Sequence, residues 1–151
     1  MAKVRWLDAD QEQAWRRYRR MRTLLDLQIA RDLKSDSGLS EADYDVLSTL
    51  SESPDGSWRA NAFANRLLWS TSRLAHHIGR MEQRGLVERR GADDDGRGAI
   101  VALTAHGRAI LKAAAPPHVA SVRRHLIDLL TPAEIKALDR IANKVVAHLS
   151  D

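Results

Sequence analysis

The sequence predicts a mainly α-helical chain that carries a single small β-hairpin. Apolar residues recur at helical spacing along most of the 151 residues, and the pattern turns extended in one place only, after Gly85. Aromatic residues make up 5% of the chain, so the core has to be built from Leu, Ile, Val and Ala, which suits packed helices. With 44% hydrophobic and 29% charged residues, the balance is that of a globular protein rather than a disordered one.

The first helix is expected from about Asp8 to Lys34, because Ala14, Tyr18, Met21, Leu25 and Ile29 fall on one face. Arginines 16, 17, 19, 20 and 22 surround that stripe as a solvated face. A break at Ser37-Gly38 is followed by strong start signals for a second helix. Ser40 can cap it, Asp43 stands three residues on, and Leu39 and Tyr44 are spaced as a hydrophobic staple. Val46, Leu47 and Leu50 form its apolar face, and Ser53-Pro54-Asp55-Gly56-Ser57 ends it in a turn. A short helix is expected over Trp58–Leu68 on the face Ala60, Phe63, Ala64 and Leu67. Trp69 and Ser70 then separate it from another helix at Thr71–Arg84, with the stripe Leu74, Ile78 and Met81. Two short helices joined this tightly form a helix-turn-helix. Leu86–Arg90 and Ala99–Leu103 read as strands joined by the polar loop 91–98. A hairpin after a helix-turn-helix makes a winged helix.

Helices resume at Thr104, and Pro116-Pro117 is expected to break or kink the chain, since proline has no amide donor. The last helix opens on Thr131-Pro132-Ala133-Glu134, a capped start with proline in the first turn. Its apolar face is Ile135, Leu138, Ala142, Val145 and Leu149. The terminal helices are long, and their stripes are wider than a domain of this size can cover. A second copy of the chain is the expected cover, driven by apolar burial at about 25 cal/mol per Å². The organisation predicted is a dimerisation helix over 1–36, a winged helix-turn-helix lobe over 37–103 and C-terminal dimerisation helices over 104–151.

The chain has no cysteine, which excludes disulfides, thiolate metal sites and thiol redox chemistry. No apolar run approaches the roughly 18 residues a membrane span needs, and no h-region follows the basic N-terminal residues. A soluble, cytoplasmic protein without membrane contact or cofactor is expected. The histidines at 106, 118, 125 and 148 are dispersed, no phosphate-binding glycine loop is present, and the reading is of a non-enzyme.

The net charge of +4 suits an anionic partner, and its placement is the informative part. Eight arginines (59, 66, 73, 80, 84, 89, 90 and 97) fall between Trp58 and Gly98. Ser70, Thr71, Ser72 and Arg73 open the second short helix. That turn, presented to a major groove, reaches base edges and phosphates, and Arg73 can pair with guanine in bidentate fashion. His76 and Arg80 share its exposed side, and His77, a further candidate DNA contact, borders the buried side. At the wing tip, Arg97 between glycines is suited to a narrow minor groove, with Asp95 orienting it.

Three ordered segments resemble one family. Gly85-Leu86-Val87-Glu88-Arg89-Arg90, then Asp95-Gly96-Arg97, then Leu103-Thr104-Ala105-His106-Gly107 resemble the MarR wing signature: GLV-x-R, D-x-R and LT-x-x-G. The resemblance implies a homodimer on a pseudo-palindromic double-stranded DNA operator, acting as a repressor. Ser70, Ser72, Arg73, His76 and Arg80 would then be recognition-helix residues, with Asp95 and Arg97 the wing pair. Leu68-Trp69 departs from the Gly-Leu common in the family's turn. The resemblance also implies a small aromatic or anionic effector, for which Trp15, Tyr18 and Tyr44 are the candidate lining residues, with core packing as the alternative. The competing reading is a winged-helix protein-interaction module without DNA binding, whose mark would be loss of the basic surface.

Overall fold

A computed structural model of the chain describes residues 2–91 and 99–150. Helix α1 (Ala9–Ser37) is followed by α2 (Glu41–Glu52), strand β1 (Ser57–Arg59), α3 (Ala60–Leu67) and α4 (Thr71–Gln83). Strands β2 (Val87–Arg90) and β3 (Ile100–Leu103) lead into α5 (Ala105–His125), a 3₁₀ turn at Ile127–Leu129, and α6 (Pro132–Ser150). The architecture is therefore mainly helical with a small antiparallel sheet, in the order β1-β3-β2.

The capping signals act as the sequence suggests. Asp43 N–H donates to Ser40 Oγ at 3.0 Å, and Ser40 N–H donates to Asp43 Oδ2 at 3.0 Å, a reciprocal box that starts α2. Thr131 and Glu134 form the same pair at the head of α6, at 3.0 and 3.2 Å.

Two expectations are corrected. Trp58 and Arg59 do not begin α3, because they belong to β1 and pair with Val101 and Ile100 of β3. The Trp58 ring packs beside Phe63 and its Nε1–H donates to the Thr49 carbonyl at 3.1 Å, so tertiary contacts settle the backbone there rather than local helical spacing. Of the break or kink expected at Pro116-Pro117, the break is absent: α5 runs from Ala105 to His125 and forgoes two amide donors.

The chain divides into two compact units. One, residues 33–118, holds the winged helix and a contiguous core of Leu33, Leu39, Val46, Leu47, Leu50 and Phe63, continued by Leu74, Ile78, Met81 and Val101. It includes the first part of α5, which is joined to the hairpin by Thr104. The Thr104 hydroxyl donates to the Gly85 carbonyl at 2.6 Å and accepts the Gly107 N–H at 2.9 Å. The other unit, residues 1–32 and 119–151, is built from the rest of α1 and α5 with α6. Within it Asp32 Oδ2 accepts from the Ser121 hydroxyl at 2.7 Å and lies 2.9 Å from His125 Nε2. Those contacts join α1 to α5, and with Gln28 they hold the Asp32 carboxyl below the usual carboxylate range, the Ser121 hydrogen bond contributing most.

Candidate nucleic-acid interface

The turn before α4 takes only three residues, Leu68 to Ser70, because Leu68 adopts φ 58°, ψ 35°, the left-handed conformation that reverses the chain after α3. Glycine reaches that region without strain. The departure from the familiar Gly-Leu turn therefore changes the residue while the backbone keeps the conformation glycine favours. Leu68 has 92% of its surface exposed, so it gains nothing from burial in return. Ser70 then caps α4 by accepting the Arg73 N–H at 3.1 Å.

Along α4, Leu74, His77, Ile78 and Met81 are buried, whereas Thr71, Ser72, Arg73, His76 and Arg80 are exposed, as is the cap Ser70. One face is fixed to the lobe's core and the other is open, which is what a groove-reading helix requires. His77, a candidate contact on the border of the apolar stripe, lies on its buried side: only 7% of it is exposed. Its ring stands edge-on to Trp69 at 5.5 Å, its Nδ1 is 3.1 Å from Arg80 Nη2, and its Nε2 is 3.0 Å from Asp43 Oδ1. That last approach is an ion-pair distance, but off the line of a hydrogen bond. Burial, more than the neighbouring Arg80 and Arg73 charges, pushes the imidazole below its ordinary pKa, against the opposing pull of Asp43. The ring is neutral at pH 7, with Nδ1 free to accept from Arg80.

Asp43 is an anchor that sequence reasoning used only as a helix cap. It is 3% exposed and also accepts from Arg84 Nη1 at 2.9 Å. Burial alone would raise its pKa. The Arg84 hydrogen bond and charge, with the Ser40 amide and hydroxyl, outweigh burial and leave it lowered. Two further residues were missed. Trp69 carries the Arg73 guanidinium 4.1 Å above its ring centroid, a cation–π arrangement. Arg89 of β2 donates to the Ala75 carbonyl of α4, and its guanidinium lies 3.4 Å from where a Cβ on Gly79 would sit. That is ordinary van der Waals contact with the end of a side chain, so the approach does not by itself require glycine at 79. The spacing of Leu74, His77, Ile78 and Met81 (i, i+3, i+4, i+7) was the available signal for His77. Among the described residues, neither Arg73 nor Arg80 forms an ion pair with a carboxylate.

The wing pair Asp95 and Arg97 lies outside the described residues. Of the effector candidates, Trp15 and Tyr18 stack on one another in α1 at 5.9 Å and belong to the unit of the terminal helices. Tyr44 belongs to the winged unit, where it packs on His118 with ring centroids 4.3 Å apart. No helix among the described residues is long and apolar enough to cross a membrane.

Fold and site together define a winged helix whose second short helix is presented with its polar face open. The MarR family model matches residues 37–98. AbsC, a MarR family transcriptional regulator from Streptomyces coelicolor, is 41% identical over 97% of this chain and 99% of its own, with a TM-score of 0.92. Sco3205, another MarR family transcriptional regulator from that organism, solved in complex with DNA, is 35% identical over 100% of this chain and 94% of its own, with a TM-score of 0.94. Sco5413 from the same organism, at 19% identity and a TM-score of 0.80 over 95% of this chain and 98% of its own, shares the fold. No curated protein sequence matches the chain closely. The chain belongs to the MarR family.

Proposed function

We propose that the protein is a transcriptional regulator that binds duplex DNA sequence-specifically as a homodimer, with α4 in the major groove. The observation that carries this reading is the division of α4 into a core-locked face and an open face bearing Ser72, Arg73, His76 and Arg80. The DNA complex of the 35% identical Sco3205 supports it. The protein-interaction alternative is disfavoured by the retained basic surface. Arg97 is assigned to the minor groove, with Asp95 orienting it, from their place in the wing sequence. Repression, the mode the family resemblance implies, is the proposed mode. Release by a small aromatic or anionic effector rests on the family resemblance alone.

The dimer is supported by the apolar surface left uncovered on the unit of terminal helices. Leu24 and Leu27 of α1 are 50% and 49% exposed, and Val146 and Leu149 of α6 are 61% and 76% exposed. Within the same unit an open cleft of about 490 Å³ is lined by Met21, Leu24, Leu27, Leu126 and Leu129. Apolar surface on this scale marks an interface.

Titration against duplexes from the protein's own promoter region, repeated across salt concentrations, tests the binding. Affinity should fall steeply as salt rises, because each phosphate contact releases counterions. Salt-independent binding, or none, rejects the reading. Light scattering tests the assembly, and a clean monomer at micromolar concentration rejects the dimer.

A further inference from the structure

We propose that Trp69 and His77 are positioning residues of the reading surface. The indole face seats the Arg73 guanidinium and the imidazole Nδ1 seats that of Arg80, so both arginines meet base edges already oriented. The inference rests on the reading of α4 as the DNA-recognition helix.

An arginine free in solvent samples many rotamers, and ordering it on binding opposes association. Here the two exposed arginines of α4 each have a fixed seat. Arg73 lies 4.1 Å over the Trp69 ring, and Arg80 Nη2 lies 3.1 Å from His77 Nδ1. The seats are themselves held. Trp69 is half-buried against the core and meets His77 edge-on at 5.5 Å. His77 is nine-tenths buried, and its Nε2 faces the carboxylate of Asp43, which the Ser40 capping box and Arg84 fix in turn. One rigid series thus runs from the start of α2 to the open face of α4.

Packing does not account for His77. It occupies a position on the stripe of Leu74, Ile78 and Met81, where a leucine would bury apolar surface with no polar atom to satisfy. Its Nε2 has no in-line acceptor. What leucine cannot supply is an acceptor for Arg80. The same geometry makes the seat sensitive to protonation, since a charged ring would turn an Nδ1–H toward a guanidinium. The groups facing the ring are Asp43 from α2, Trp69 from the turn, and Arg73 and Arg80 from its own helix, with Arg84 behind Asp43.

The test is selection from a random duplex library, comparing the full-length protein with His77→Leu and His77→Gln at about 0.1 M salt. His77→Leu should keep its far-UV circular dichroism, oligomeric state and salt slope. Its discrimination at one base pair in each half-site should fall about fivefold to tenfold, the scale of one well-made base contact. Glutamine, whose Oε1 can accept from Arg80, should restore most of it. A second arm uses the unmodified protein and His77→Gln across pH. The unmodified protein should lose discrimination as pH falls below the ordinary histidine range, and the glutamine variant should not follow. An unchanged base profile in His77→Leu overturns the proposal, as does failure of glutamine to restore it. Coincident pH curves overturn it even if the leucine variant does not fold. If the unmodified protein enriches no duplex, the DNA-binding reading falls, and this proposal falls with it.

Discussion

Gly107→Ala is the substitution the structure penalises most clearly. A Cβ on Gly107 would lie 2.0 Å from the Leu86 carbonyl oxygen, 2.9 Å from its carbon and 3.0 Å from Leu103 Cδ1. Reaching ordinary contact at 3.4 Å requires the first turn of α5 and the base of β2 to part by about 1.4 Å, and packed interiors resist such opening. The same parting stretches the Thr104 N–H bond to Leu86 O at 3.2 Å and the Thr104 hydroxyl bond to Gly85 O at 2.6 Å. Overpacking costs about 1–3 kcal/mol, and each weakened hydrogen bond up to about 1. Alanine returns about 1 kcal/mol of helix propensity. The net expectation is a loss of about 3 kcal/mol, read as a fall of roughly 1–2 M in the urea midpoint at fixed protein concentration. Gly91→Ala, where a Cβ would meet nothing within 4 Å, is the control and should stay within about 0.5 kcal/mol. A Gly107→Ala protein as stable as that control would refute the claim that α5 and the wing meet backbone to backbone.

Other substitutions should move stability in stated directions. Leu68→Gly should stabilise by about 0.5–1 kcal/mol in urea titration, since the exposed left-handed leucine is strained by about 1–2 kcal/mol and glycine's extra chain entropy offsets part of that. Gly79→Ala should also stabilise, by about 0.5–1 kcal/mol, because its Cβ meets only the mobile end of Arg89 at 3.4 Å while the helix gains propensity; a loss would mean that the Arg89 contact is rigid. Asp43→Asn should destabilise by about 2–3 kcal/mol at pH 7, less than for a fully buried pair because the Arg84 side chain is 44% exposed. The folded pKa of Asp43 lies below its unfolded value near 3.9, so its contribution is complete above that value and disappears as pH falls through the folded pKa. Urea midpoints at pH 7 and pH 3 should accordingly differ less in Asp43→Asn than in the unmodified protein, and an equal difference would deny Asp43 that role.

The winged unit was legible in the sequence because nearly every element carries its own punctuation. Ser40 with Asp43, and Ser70, each bond as their spacing suggests, and Gly85 turns the chain at φ 72° where the extended pattern begins. What escaped is decided over distance. Ser57–Arg59 is a strand only because β3, some forty residues later, pairs with it. Pro116 and Pro117 cost α5 two donors without ending it. The reading surface divides in the same way. The open residues of α4 follow from periodicity, whereas the seats beneath them do not, because Asp43, Trp69, His77 and Arg84 converge from separate positions.

The two units also solve the stability problem differently. Every residue of the buried hydrophobic cluster, from Leu33 to Ala114, belongs to the winged unit. Among the described residues of the other unit, only Ser121 is buried, and α6 contributes none over 19 residues. Isolated helices of that length are marginal in water, and proteins stabilise them by packing an amphipathic face. The apolar face of α6 therefore has to find its cover outside its own compact unit, and a second copy of α1 and α6 offers the same uncovered stripe in return. In the proposed homodimer, folding of the terminal helices and association of the two copies would then be one event.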